Sequence, residues 1–221
     1  MRMDAELGAR LGFLVEIDKM KGIRRQTLLA DRSREETDAE HSWHFAVMAL
    51  TLFGYCALEG VDIGRVLRMA LVHDLVEVYA GDTFAYDAKG AVGKEAREAE
   101  AADRLFSLLP DGQAAEFRGI WEEFDRMGTP DAVYASAIDR LQPFLNNSVT
   151  EGHTWARHGV TDRQVYARMD PVRVALPGVW GFVVDVVREG LEKGWITPAD
   201  GGFRGAGGPG ADSGAGSGAG G

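Results

Sequence analysis

An adjacent histidine and aspartate, His73-Asp74, sit inside the apolar stretch Ala70-Leu71-Val72-His73-Asp74-Leu75-Val76-Glu77. Ionisable side chains are rarely buried unless they are paired or bind a metal. Around the dyad, Ile63, Val66, Leu67, Ala70, Leu71 and Leu75 recur at the i, i+3, i+4, i+7 spacing of a buried helix, predicted over 62–79. Asp62 suits its N-cap and Gly81 its stop. A chain that buries this dyad has to fold around it.

The rest of the chain is also predicted helical. Segment 4–20 carries Leu7, Leu11, Leu14, Val15 and Ile17 at helical spacing, and segment 39–58 carries Trp43, Val47, Leu50 and Phe53. Segments 93–109, 113–126, 130–150 and 171–193 follow, with Pro110 ending the first and Pro130 and Pro171 suiting first turns. No run shows a clean period of two, so the expected fold class is all-α. Long polar connections remain at 21–38, 80–92 and 151–165, and loops of that length in a compact helical domain are often functional.

A chain of 221 residues can bury one sizeable core. Residues 1–200 are expected to form it. Residues 201–221 are almost all Gly, Ala, Ser and Pro, and are read as a flexible tail. The net charge of −10 argues against a nucleic-acid polymer as partner, because phosphate backbones are bound by basic patches. It leaves room for a small phosphorylated substrate, since a bound dication and one or two arginines reverse the local field. The lone Cys56 lies in an apolar segment and reads as a small core residue. No basic region followed by an apolar run opens the chain, and no segment approaches 18 consecutive apolar residues. The expectation is a cytoplasmic protein without a membrane span.

A second histidine, His41, lies upstream in Asp38-Ala39-Glu40-His41-Ser42, and an aspartate, Asp139, downstream in Ala137-Ile138-Asp139-Arg140-Leu141. Two imidazoles and two carboxylates suit a borderline divalent ion such as Mn, Fe, Co, Ni or Zn, with Mg also open. Such a shell leaves positions for water and a substrate oxygen, as catalytic metals require. Glu77 lies one turn beyond His73, placed to act on an attacking water or a leaving oxygen. Asp82 follows just past the helix end. His44 is read as a packing or hydrogen-bonding residue, His153 and His158 as residues of a polar loop that could cover a pocket. Asn146 and Asn147 stay open between the site and a polar face.

The stretch Glu40-His41-Ser42, then HDLVEVYAGD at 73–82, then Asp139 resembles the 5′-deoxynucleotidase branch of the HD phosphohydrolase superfamily. The resemblance covers roughly residues 8–193. It implies an all-helical bundle, often a homodimer, with one divalent metal between the helices. It implies hydrolysis of nucleoside 5′-monophosphates to nucleoside and phosphate; some relatives take di- or triphosphates. By motif position His41, His73, Asp74 and Asp139 would hold the metal. Glu77 would act on the water or the leaving group, and Asp82 near the sugar and the catalytic water. An upstream arginine, Arg24 or Arg25, would grip phosphate, with Arg25 better spaced from His41. Where the family has a bulky aromatic after that arginine, this chain has Gln26, so the resemblance carries no strict 2′-deoxy preference. Glu77 is followed by Val78, which excludes the HDxxED motif of the stringent-response hydrolases. Residues 75–138 contain no histidine, which argues against the dinuclear branch. Two other functions remain open: a phosphatase of another small phosphorylated metabolite, and a non-catalytic module that kept the fold.

Overall fold

The computed structural model describes residues 4–87 and 89–199. The segment read as a tail, 201–221, lies outside the described residues.

Helix α1 (Ala5–Ile17) is followed by a 3-10 turn at Asp18–Gly22. Strands β1 (Arg24–Leu28) and β2 (Glu35–Thr37) pair antiparallel. Then come α2 (Asp38–Leu52), α3 (Ile63–Val72), the single turn α4 (Glu77–Ala80), α5 (Lys94–Phe106) and α6 (Asp111–Arg126). The central α7 (Pro130–Val149), the short α8 (His153–His158), α9 (Asp162–Arg168) and α10 (Asp170–Ala175), and finally α11 (Trp180–Glu192) complete the bundle. The all-α expectation holds apart from the small hairpin.

Helix α7 organises the core. It packs against α2, α3, α6, α10 and β1. Tyr134, Ala135, Ala137, Ile138, Leu141 and Phe144 are all buried, so the helix is apolar on most sides, as a central helix must be. Pro130 opens it behind the Thr129 cap. Buried side chains of this kind each contribute about 1.5–3 kcal/mol when removed from water.

Several sequence expectations need correction. The polar connection 21–38 holds the β1–β2 hairpin. Hydrophobic alternation was absent there because Arg25 and Thr27 turn towards a polar site rather than an apolar core. The helix predicted over 62–79 breaks: α3 stops at Val72, and 3-10-type bonds, including Leu75 N–H to Val72 O at 3.1 Å, lead into α4. The segment 171–193 divides at Leu176-Pro177, because a residue before proline avoids the helical region, and Leu176 sits at φ −134°, ψ 57°. Finally, Trp43, Val47 and Leu50 face solvent, and α2 instead buries His41, Phe45, Met48 and Ala49. The end of α2 at Leu52, before Gly54, also falls short of residue 58. The connection 151–165 contains α8 and the start of α9. In the C-terminal apolar segment Val183 is buried while Phe182 stays exposed.

Candidate metal centre and active site

Three helices bring the predicted residues together. His41 lies in the first turn of α2, whose start is fixed by a capping box between Thr37 and Glu40. His73 caps the end of α3, where the helix breaks. Asp139 lies midway along α7, in the turn where Pro143 lacks the N–H that would bond the Asp139 carbonyl.

Adjacent side chains on a regular helix diverge by about 100°. Here His73 Nε2 and Asp74 Oδ2 nonetheless stand 3.1 Å apart, and His73 Nε2 is 3.7 Å from Asp139 Oδ1. His41 Nε2 is 3.0 Å from Asp139 Oδ1 and 3.8 Å from Asp74 Oδ2. His41, His73 and Asp139 therefore form one compact group of ligand atoms, with Asp74 against its edge.

The hydrogen bonds behind the rings fix their tautomers. Gln142 Nε2 donates to Glu36 Oε1 at 2.8 Å, so its Oε1 faces His41. His41 Nδ1–H donates to that oxygen at 2.7 Å. His73 Nδ1–H donates to the Ala70 carbonyl at 3.1 Å. Each Nε2 then presents a lone pair to a carboxylate oxygen, an arrangement that calls for a cation or proton between them. His73 Nε2 is buried without a hydrogen-bond partner. The two imidazole nitrogens and an Asp139 oxygen lie within 4.8 Å of one another and could hold a divalent ion, while Asp74 groups with Asp38 and Glu77 on the Arg25 side.

Electrostatics follow from the same geometry. Burial works against charge on His73, yet the adjacent Asp74 and Asp139 hold it up at about 10. Burial and Arg25 push His41 down. Against burial, His73 and Arg25 hold Asp74 below the usual carboxylate range. Burial, with Asp74 and Asp38 close by, pushes the Glu77 carboxyl well above its usual value. Burial likewise raises Asp82, although Arg25 opposes it. Glu77 Oε2 is buried without a partner.

Of the two arginine candidates, Arg25 turns inward and donates to Asp74 Oδ2 at 2.9 Å and Asp38 Oδ1 at 3.3 Å. Arg24 is exposed and donates to the Glu35 carbonyl at 2.8 Å, so it does not join the cluster. A cavity of about 300 Å³ opens beside the ligands, lined among others by Arg25, Glu77, Asp82, Phe84, Arg140 and Arg168.

Sequence reasoning missed several of these residues. Asp38 looks like an ordinary acidic residue of a helix first turn, but Thr37 provides the cap and Asp38 is fully buried beside Asp74 and Glu77. Burial and Asp74 raise its carboxyl to about 6. Gln142, one turn after Asp139, carried no motif signal. His44 accepts from Gln142 Nε2 through Nδ1 at 3.0 Å, in line with a hydrogen-bonding role. His158 stacks on Phe84 with ring centroids 4.3 Å apart and meets Gln26 Oε1 at 3.2 Å, so α8 reaches the cavity mouth. Asn147 lines the cavity and also ties α7 to α8, through Oδ1 and the Thr154 N–H at 3.2 Å.

Residues 17–180 match the family described as HD domain, which takes in α2 through α10 and every residue of the ligand cluster. The chain belongs to the HD domain family. The 5′-deoxynucleotidase HDDC2 of Bos taurus is 31% identical over 147 residues, 65% of this chain and 70% of that protein. The Danio rerio protein of the same name is 29% identical over 136 residues, 61% of this chain and 66% of that protein. The chain thus spans about two thirds of the length of these relatives. The crystal structure of a predicted metal-dependent phosphohydrolase from Magnetospirillum magnetotacticum MS-1 is 48% identical, with a TM-score of 0.83 over 88% of this chain and 97% of that one. The PH0347 protein of Pyrococcus horikoshii, 21% identical with a TM-score of 0.57, shares the fold of this HD domain.

Proposed function

We propose that this HD domain is a metal-dependent phosphohydrolase that removes the 5′ phosphate of a (deoxy)nucleotide, with a nucleoside 5′-monophosphate as the reference substrate, giving nucleoside and inorganic phosphate. The observation that supports this reading is the grouping of His41 Nε2, His73 Nε2 and Asp139, with Asp74 Oδ2 against both histidines and Arg25 against Asp74. Relatives named 5′-deoxynucleotidase support the substrate class.

His41, His73, Asp74 and Asp139 would hold one divalent ion (Mn, Co, Fe, Ni, Zn or Mg). Bound there, it supplies Lewis acidity to a phosphoryl oxygen and acidifies water. Arg25 binds the phosphoryl oxygens with its planar fork and offsets charge as attack proceeds. Its guanidinium is held charged by the surrounding carboxylates against burial. Asp82, half-buried at the cavity wall, accepts the proton of the attacking water as its oxygen bonds to phosphorus. Glu77, whose site favours the protonated form, gives its proton to the 5′ oxygen as the P–O bond breaks. Arg24 has no part.

We infer a homodimer, a reading supported by α2, which leaves Trp43, Val47 and Leu50 exposed on one helix face. No helix among the described residues is long and apolar enough to cross a membrane, and we place the protein in the cytoplasm, acting on small phosphate esters rather than on nucleic-acid polymers. Phosphate release by Glu77→Ala and Asp74→Ala tests the site. Both should lose at least roughly 10²-fold in kcat; activity equal to wild type in either contradicts the assignment.

A further inference from the structure

The cavity has two positively charged ends. Arg25 forms the first, against Asp74 and Asp38. Arg140 and Arg168 form the second, beyond Asp139. A chain of contacts separates the two: Arg25 to Asp74 at 2.9 Å, Asp74 to His41 at 3.8 Å, His41 to Asp139 at 3.0 Å, and Asp139 to Arg168 at 3.9 Å. The arginines therefore flank the ligand cluster, and all three line one cavity.

The two ends differ in compensation. Part-buried charge is costly without a partner. Arg25 holds two carboxylates. Arg140 donates instead to the Arg168 carbonyl at 3.0 Å and approaches Met127 Sδ at 3.5 Å. Among the described residues no carboxylate lies within 4.0 Å of Arg140, and Asp139 alone lies that close to Arg168. Asp139 already faces both imidazoles. The next acidic neighbour in sequence, Asp170, is bound by Arg173 at 2.7 Å. Elsewhere Arg65 and Arg118 each hold a carboxylate at 2.5 Å. In a chain with 34 acidic and 24 basic residues, two neighbouring arginines with one carboxylate at 3.9 Å from Arg168, itself already facing both imidazoles, mark an anion site.

We propose that Arg140 and Arg168 bind a second phosphoryl group, so that the preferred substrate is a nucleotide carrying two or more phosphates, one at the ligand cluster and one at this arginine pair. This rests on the phosphohydrolase reading of the same cavity. A planar guanidinium matches phosphate oxygens with two parallel donors, and it does so without contributing to the cleavage itself. The second phosphate sits either on the sugar, as in a nucleoside 3′,5′-bisphosphate, or along a 5′-polyphosphate chain.

The test compares KM for deoxyadenosine 5′-monophosphate, 5′-diphosphate and 3′,5′-bisphosphate on the full, metal-supplied chain. The expected result is a KM at least ten-fold lower for one two-phosphate substrate, which also identifies the source of the second phosphate. Arg168→Gln and Arg140→Gln should bring the ratio of monophosphate to two-phosphate KM towards one, and Arg168→Lys should leave an intermediate ratio. A wild-type ratio near one, or a ratio unchanged in the Gln variants, overturns the proposal. Calorimetric titration of the metal-stripped full chain with inorganic phosphate and with tripolyphosphate reads the same site without catalysis. Tighter tripolyphosphate binding that is lost in both Gln variants supports the anion site. That result with no hydrolysis of any nucleotide would remove the phosphohydrolase reading and keep the anion site; equal affinity for the two anions removes the anion site.

Discussion

His41 Nδ1–H donates to Gln142 Oε1 at 2.7 Å, and both side chains are fully buried. Gln142 is itself oriented by Glu36, so a residue with no place in any metal motif decides which nitrogen of His41 faces the ligand cluster. Partners of this kind typically contribute 10–100-fold, as an order of magnitude, to metal affinity. Gln142→Leu should weaken divalent-ion binding by about that factor. Competition titration against a chromophoric chelator measures it, and circular dichroism checks that the variant remains folded. Unchanged affinity would remove Gln142 from the support of the site.

Arg25 and Arg24 should separate in one kinetic experiment. Arg25→Ala should lower kcat by roughly 10²–10³, the usual loss of one preorganised donor to a developing anion. Arg24→Ala, on an exposed residue bonded to the Glu35 carbonyl, should stay within about two-fold of wild type. Equal losses in the two variants would contradict the inward position of Arg25.

Stability should fall as pH rises through the range set by Glu36. This carboxyl is 2% exposed, its Oε2 has no hydrogen-bond partner, and burial pushes its pKa to about 7. The unfolded value is about 4.3. Between these values the folded chain binds more protons than the unfolded one, so the contribution is full below about pH 4.3 and is lost as pH passes 7. Over the whole interval it amounts to about 4 kcal/mol. Glu36→Gln removes it. The stability of the variant relative to wild type, from urea unfolding, should therefore rise between pH 5 and pH 8. A flat difference would show that Glu36 is ionised in the folded protein.

Trp43 tests the assembly. Its side chain is 65% exposed on the same face of α2 as Val47 and Leu50. Trp43→Glu should convert a dimer to a monomer by light scattering, with the fold of the separated chain retained. A wild-type monomer at micromolar concentration would refute the dimer.

The residues of the proposed site were legible because each sits in a context that physics makes unusual. His73-Asp74 interrupts an apolar helical stripe, and His41 and Asp139 complete the proposed ligand set in sequence order. The helical class was legible from spacing, and the stop at Gly81 from backbone chemistry; α5 ends at Phe106, before Pro110. What stayed hidden depended on tertiary surroundings. The hairpin was missed because Arg25 and Thr27 face a polar cavity, which erases the alternation that marks a half-buried strand. Trp43, Val47 and Leu50 imitated a core stripe while the opposite face of α2, with His41 and Phe45, was the buried one. Asp38 and Gln142 have ordinary local sequence, and only packing shows that they are dry.

The most direct test of the central claim is phosphate release from deoxyribonucleoside and ribonucleoside 5′-phosphates by protein stripped of metal and then resupplied with Mn, Co, Fe, Ni, Zn or Mg in turn. The predicted result is no release from the stripped protein, recovery with at least one of these ions, and no recovery in Asp139→Ala. Release that persists at full rate after stripping, or in Asp139→Ala, would contradict a metal centre built on His41, His73, Asp74 and Asp139.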